Sequence, residues 1–540
     1  MAGRDYDLAL LGLEVLMALV DLAPRPTGQT HPGDLGHKSS LPAYFALCAA
    51  FALTILLAHS VQNEGGVTQS LYCIVLFAIC AGPALMGRHN LRHRLLAMFM
   101  GCYFVVFGLH PTVQVLSGQN GLISWGAGEA STGVGANYAL TSDAVVILGA
   151  LAALGGYFLV SAVRGRRPST FLNHEWRYPA ILRAGVITWA IGFAEMIAYD
   201  LNVSPLHIPT HIMGLPLGVA SNIRLLSPLG AMMLIYLAAR NYRSRLVWPL
   251  LLTVIAAEFL FGFISNSKEI SFRIPVLLLV GLYYLGGRIS KKLLIAMVIV
   301  GVPYLLFFNA YRMITMEHDY KTPAEALAAF SKNIETVKRQ TEGQTGVISS
   351  SLANFTERVD GKVYVDIIVA GTASGRVQHL GGETIAWFFE SFIPRFLWAE
   401  KPDISIGQLF NHEFHLSESR FTFVPTTELG ELYWNFGMAG AIVGMLIIGL
   451  IFGQLGGTLL DRSTMTVPRF VMLLMSTYFL AVRFEGNIAS EYSTFIRLVI
   501  LIWIADRLLR LFGVSVTVPT SNSSVPAQRI AGRPMNLLPR

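Results

Sequence analysis

Ionisable residues stand inside or at the ends of apolar runs, where a charge is costly. Glu195 in ITWAIGFAEMIAYD and Glu258 in VIAAEFLFGF have apolar neighbours on both sides. A carboxylate at such a depth marks a functional site by default, with satisfaction by a neighbouring helix, purely for packing, as the competing account. Arg224, Lys268, Arg273 and Arg312 lie at one end of their apolar runs, and Arg483 just past the end of another. A cavity lined by such cations would hold an anion, and phosphate is the natural one because Arg offers paired N–H donors. For any single cation, snorkelling to lipid headgroups is the plainer account. Glu428 and Glu431 stand three apart, so a helix would place them on one face, where a carboxylate can act as a base toward a hydroxyl. A helix N-terminus that simply favours carboxylates explains them equally well.

Other groups carry less. His412 and His415 in NHEFH lack the HExxH spacing that sets two ligands one helical turn apart, and no metal is expected. His207 and His211 have that spacing, but Pro205 and Pro209 oppose a helix there. The four cysteines, Cys48, Cys73, Cys80 and Cys102, sit in apolar runs and read as small hydrophobes. Gly440-xxx-Gly444 and Gly453-xxx-Gly457 are helix-packing devices.

The elements that must position these residues are membrane helices. Of 540 residues 53% are apolar and 14% charged, whereas a soluble chain carries about 25% charged. Stretches of about 20 apolar residues, enough to cross a hydrocarbon core, occur near 41–60, 67–87, 95–116, 142–163, 179–201, 223–239, 246–265, 270–287, 293–313, 432–458, 468–482 and 494–511. The expectation is an all-α polytopic membrane protein of about 12 spans. Residues 8–22 add a thirteenth unless they lie at the interface, the favoured reading given Glu14 and the flanking aspartates.

Basic clusters at Arg88/Arg92/Arg94, Arg164/Arg166/Arg167, Arg240/Arg243/Arg245, Arg288/Lys291/Lys292, Arg462/Arg469 and Arg507/Arg510 mark every second loop. The positive-inside rule puts those loops and both termini in the cytoplasm. Residues 314–428, on the other side, carry 10 Lys and Arg against 15 Asp and Glu, and the rest of the chain 30 against 18. The basic balance therefore reflects topology and gives no support to a nucleic-acid partner. The long outer segment, 314–431, holds an amphipathic helix at 323–340 and an aromatic interfacial or re-entrant helix at 383–398. The chain thus divides into an N-terminal segment 1–40, a nine-helix bundle 41–313, the outer segment, three C-terminal spans within 432–511, and a disordered tail 512–540, rich in Ser and Pro toward its end.

Three blocks carry a resemblance. IPRFLWAEKP, 393–402, resembles the signature of the bacterial O-antigen polymerase family, which joins lipid-linked oligosaccharide repeat units, with Ala399 in place of a second proline. ELGELYWNFGMAGAIVGMLIIGL, 428–450, is similar to that family's helix that opens with an acidic residue and Asn-Phe-Gly, and SNSKEISFRIPVLLL, 265–279, to its small-residue-then-basic helix entry. The resemblance implies a helical glycosyltransferase of the GT-C-like class, working at the periplasmic face of the bacterial inner membrane. It implies no cofactor. The substrate is a polyprenyl pyrophosphate-linked glycan, moved to an incoming lipid-linked unit, with a chain-length regulator and a flippase as possible protein partners. Such chemistry needs cations at the leaving pyrophosphate and a base at the attacking hydroxyl. Arg395, Lys401 and Lys268 fit the first role, supported by Arg273, Arg420 and Arg483, with Glu195 and Glu258 lining the cavity; Glu428 and Glu431 fit the second. A polysaccharide ligase and a lipid-linked oligosaccharide flippase are the competing readings.

Overall fold

The computed structural model describes most of residues 41–304 and 356–517. Residues 1–40, 118–135, 305–355 and 518–540 lie outside the described residues, as do shorter stretches including 165–170, 203–210, 287–294, 394–396, 402–404 and 418–422. The interfacial segment 8–22, the helix at 323–340, Arg312, Arg395, Arg420 and the end of the tail all fall there, with most of the window 293–313.

Long apolar runs fold as helices because in hydrocarbon every backbone N–H and C=O must be satisfied within the segment. In chain order these are α1 (Leu41–Gln62), α2 (Val67–His89), α3 (Arg94–Phe107), α4 (Leu109–Ser117) and α5 (Ala136–Arg164). Strand β1 (His174–Trp176) precedes α6 (Tyr178–Asn202), and a two-residue pair, β2 (His211–Ile212) with β3 (Leu215–Pro216), precedes α7 (Leu217–Ile223). Then come α8 (Leu226–Ala239), α9 (Val247–Ile264) and α10 (Lys268–Gly286). The outer segment contributes α11 (Lys362–Ala373), α12 (Glu383–Glu390) and α13 (Ile406–Phe414). Last are α14 (Glu428–Leu459), α15 (Val467–Thr477), which continues as a π-helical turn at Tyr478–Val482, α16 (Ile488–Leu511) and β4 (Ser515–Thr517).

Among the described residues six helices are long and apolar enough to cross a membrane, seven if α3 and α4, bent by 50° at Gly108, count as one span; Tyr44–Ala58, Leu226–Ala239 and Val467–Val482 are shorter apolar helices. The chain is therefore a multi-pass, helical membrane protein. Helix α11 was not among the expected elements. Its β-branched run KVYVDIIV has no helical preference of its own, and it is helical because Val363, Val365, Ile368 and Val369 bury against the bundle.

The basic end of the bundle is tied together by backbone acceptors. Buried Arg94 donates to the carbonyls of Gly87, Tyr283 and Tyr284 at 3.2, 2.8 and 3.0 Å. Buried Arg469 donates to Phe171 O at 2.8 Å. Strand β1 pairs antiparallel with β4, Glu175 opposite Val516, and the Trp176 indole donates to Asp506 of α16 at 3.2 Å. Arg94→Ala strands three carbonyls and opens a cavity, so a loss on the order of 3 kcal/mol is expected, read as a lowered unfolding midpoint of the detergent-solubilised protein.

Candidate functional site

Helix α14 is not a straight 32-residue rod. Phe436 (φ −137°, ψ 15°) and Gly437 (φ 65°, ψ −152°) break it, the second lying where only glycine rests without strain. In a straight helix Leu432 and Gly444 stand about 18 Å apart along the axis. Here the Leu432 side chain fills the place a Cβ on Gly444 would take, and the Leu432 carbonyl lies against Gly440. The first half, Glu428–Asn435, is folded back beside the second. The spacing Gly440-xxx-Gly444 thus receives the helix's own first half, which replaces the expectation of a contact with another helix at that pair. Leu429 and Met445 meet at Gly149 of α5, so the N-terminus of the folded-back half points into the bundle, about as deep as Met445.

The break frees backbone groups, and the loop before α12 satisfies them. Leu380 N–H and Gly381 N–H donate to the carbonyls of Trp434 and Asn435, both at 3.1 Å. The Asn435 side chain accepts from Gly382 N–H at 3.1 Å and donates to Thr384 Oγ1 at 2.7 Å. The Asn-Phe-Gly of the resembling block is therefore the fold-back itself, with its Asn holding the aromatic helix α12. Gly437→Ala should cost about 1–3 kcal/mol and loosen α12; a lowered unfolding midpoint together with faster proteolysis between 376 and 393 checks it.

At the buried tip, Thr427 caps the half-helix by accepting from Gly430 N–H at 3.1 Å, from a backbone at φ 59°. Glu428 and Glu431 are fully buried. Glu428 Oε2 accepts from the Tyr492 hydroxyl at 3.1 Å, and Glu431 Oε2 from Ile488 N–H at 2.8 Å. The Oε1 of each has no hydrogen-bond partner among the described residues. An orphaned buried carboxylate oxygen needs a proton or a ligand.

The segment 483–492 joins this tip to α10. Phe484 O accepts from Glu428 N–H at 3.2 Å. Arg483 lies between two carboxylates, Nε 3.3 Å from Glu269 of α10 and Nη1 3.0 Å from Glu491 of α16. The Tyr478 hydroxyl donates to Glu269, and the rings of Tyr478 and Phe479 each have their centroid 5.9 Å from the guanidinium carbon. Burial, reinforced by Glu269, pushes the Glu485 carboxyl up to about 7.

Of the expected residues, Glu428, Glu431 and Arg483 come together, joined by Glu269, Glu491 and Tyr492, which the sequence reading did not select. Arg273 and Glu258 pair with each other at 2.7 Å, and Ser227 donates to Glu258. Arg273 is thus engaged by a carboxylate, and Glu258 acts within an ion pair. Glu195 is buried with its Oε1 unpartnered among the described residues, and Arg273 Nη2 lies 3.8 Å from the sulfur of the next residue, Met196. Lys268 opens α10 beside Glu269. Lys401 donates to Ile393 O at 3.1 Å within its own segment. The acidic character of Glu491 was readable, but the sequence placed the start of its span at 494 and so left the first turn of α16 unread.

A second polar centre lies where α11 meets α5. Lys362 Nζ is 3.1 Å from Asp143 and 2.8 Å from Asp366, which also accepts from Ser142. Asp360 and His110 approach to 3.9 Å. Burial, then the charge of Asp366, pushes the Asp360 carboxyl up to about 7. This cluster docks the outer segment on the bundle. Among the described residues no group of three or more His, Cys, Asp or Glu is placed to hold a metal ion.

No family model matches the chain, and neither a curated protein nor a solved structure matches it.

Proposed function

We propose that this protein polymerises lipid-linked oligosaccharide repeat units at the periplasmic face of a bacterial inner membrane. In this reading the bundle has about 12 spans, both termini are cytoplasmic, and the architecture is GT-C-like. The observation that carries it is the meeting of two resembling blocks, 265–279 and 428–450, at one site, buried at Glu428 and Glu431 and open at Glu269. Glu269 comes from the first, Glu428 and Glu431 from the second, and Arg483 with Phe484 joins them.

In the reaction the hydroxyl of the incoming unit attacks the anomeric carbon of the growing glycan and the bond to the pyrophosphate oxygen breaks. A buried carboxylate, Glu428 or Glu431, takes the hydroxyl proton, and Arg483 faces the charge that develops on the leaving pyrophosphate. Lys268, and Lys401 with Arg395 and Arg420, would add positive charge as the donor enters. The glycan then grows at its reducing end.

One observation favours a second reading. Arg483 sits between two carboxylates, Glu269 and Glu491, and the buried Glu428 and Glu431 flank the same segment, an acidic balance suited to a proton-coupled flippase of the same lipid-linked units. Deleting the protein and extracting polyprenyl pyrophosphate-linked intermediates separates the two. Single repeat units accumulating on the periplasmic side, with polymer lost, support the polymerase; accumulation on the cytoplasmic side overturns it in favour of the flippase.

A further inference from the structure

The two carboxylates on Arg483 are not equivalent. Glu491 is 3% exposed and Glu269 49%. Removing a buried partner leaves an uncompensated charge, whereas an exposed ion pair is weak. The pair with Glu269 is the one an incoming ligand can replace. The position Glu269 occupies is also an anion's position: it lies in the first turn of α10, a 19-residue helix opened by Lys268, where the macrodipole favours negative charge. The rings of Tyr478 and Phe479 flank the guanidinium, and the π-helical turn Tyr478–Val482 that carries both sets it at the opening of α16.

We propose that the Glu269 carboxylate is a displaceable placeholder for a pyrophosphate, occupying the open side of Arg483 between turnovers and yielding that side when the ligand's phosphates arrive. This rests on the reading of the site as one that handles a pyrophosphate-linked donor, and it adds what controls access to the cation. Pyrophosphate offers more charge than one carboxylate and the paired oxygens that a guanidinium fork matches. Glu491 stays in place and keeps Arg483 oriented. No covalent step is involved.

The test is binding of inorganic pyrophosphate to the full-length protein in nanodiscs of zwitterionic lipid, by titration calorimetry, which needs no glycan and no turnover. Glu269→Gln should bind about fivefold more tightly than the unaltered protein, the scale of one partly exposed ion pair. Arg483→Gln should lose saturable binding, and Arg483→Lys should retain a weakened form of it. Tyr478→Phe, which removes only the hydroxyl that holds Glu269, should shift affinity the same way as Glu269→Gln by a smaller factor and serves if the first variant does not fold. Equal or weaker binding by both Glu269→Gln and Tyr478→Phe overturns the proposal. So does loss of binding when phosphatidylglycerol is added to the nanodiscs, which would make a lipid headgroup the occupant. Tighter binding by Glu269→Gln alongside normal polymer in cells lacking the protein would sink the polymerase reading and leave the placeholder standing.

Discussion

Glu428→Gln is expected to lower polymer by at least about 100-fold, while the variant accumulates in the membrane at a normal level. The substitution keeps shape and one acceptor, so the Tyr492 hydroxyl at 3.1 Å retains a partner and the buried tip of the half-helix stays packed. What it removes is the capacity to accept a proton from an attacking hydroxyl, a contribution of roughly 10²–10⁴ in rate where a base is used. Glu431→Gln separates the two carboxylates. Its Oε2 already accepts from Ile488 N–H at 2.8 Å, a bond an amide oxygen reproduces. If Glu428 is the base, Glu431→Gln loses far less. The measurement is the glycan banding pattern in cells that carry only the variant, beside an immunoblot of the membrane fraction. Normal banding from Glu428→Gln removes it from the chemistry. Loss of polymer with single units retained on the cytoplasmic side assigns the same carboxylate to transport.

The elements that hydrocarbon dictates were legible, and those that tertiary contact dictates were not. Helices occupy the expected windows from 41–60 to 270–287 and the three after 428, because apolar runs of that length have no other way to satisfy their backbone. The fold-back at 436–437 left no such trace. YWNFGMAG has the composition of a continuous span, and one glycine at positive φ with a neighbouring loop at 379–382 whose N–H groups donate to the freed carbonyls makes the difference. The cations show the same limit. Sequence places Arg273 and Arg483 at helix ends but does not show that Glu258, on the neighbouring antiparallel helix, or Glu269 and Glu491, from two different helices, will neutralise them. An anion site inferred from residue types alone overstates the free positive charge. Glu428 and Glu431 were placed correctly on one helix, and only the fold-back makes them buried rather than exposed at a span's mouth.

The seam between α5 and α14 sets the second large effect. A Cβ on Gly156 would meet the Leu446 carbonyl and lie 2.9 Å from Leu450 N, and one on Gly449 would meet the Ala153 carbonyl. Both contacts are with backbone, which cannot rotate away, so the two helices would have to separate along their length. Gly156→Leu is expected to lose at least about 3 kcal/mol and to be degraded instead of accumulating. The adjacent Gly155 has open space where its Cβ would be, so Gly155→Leu should accumulate normally; equal levels for the two would show that the seam is not close-packed. Gly149 gives the graded version. A Cβ there meets side chains and no backbone, Leu429 Cδ1 at 2.9 Å, the Tyr103 hydroxyl at 3.1 Å and Met445 Cγ at 3.4 Å, which a small shift relieves. Leu429 adjoins Glu428, so Gly149→Ala should leave a folded protein whose half-helix tip is displaced and whose polymer output falls more than its stability. That split, set against the joint loss in Gly156→Leu, separates what α5 does for the fold from what it does for the site.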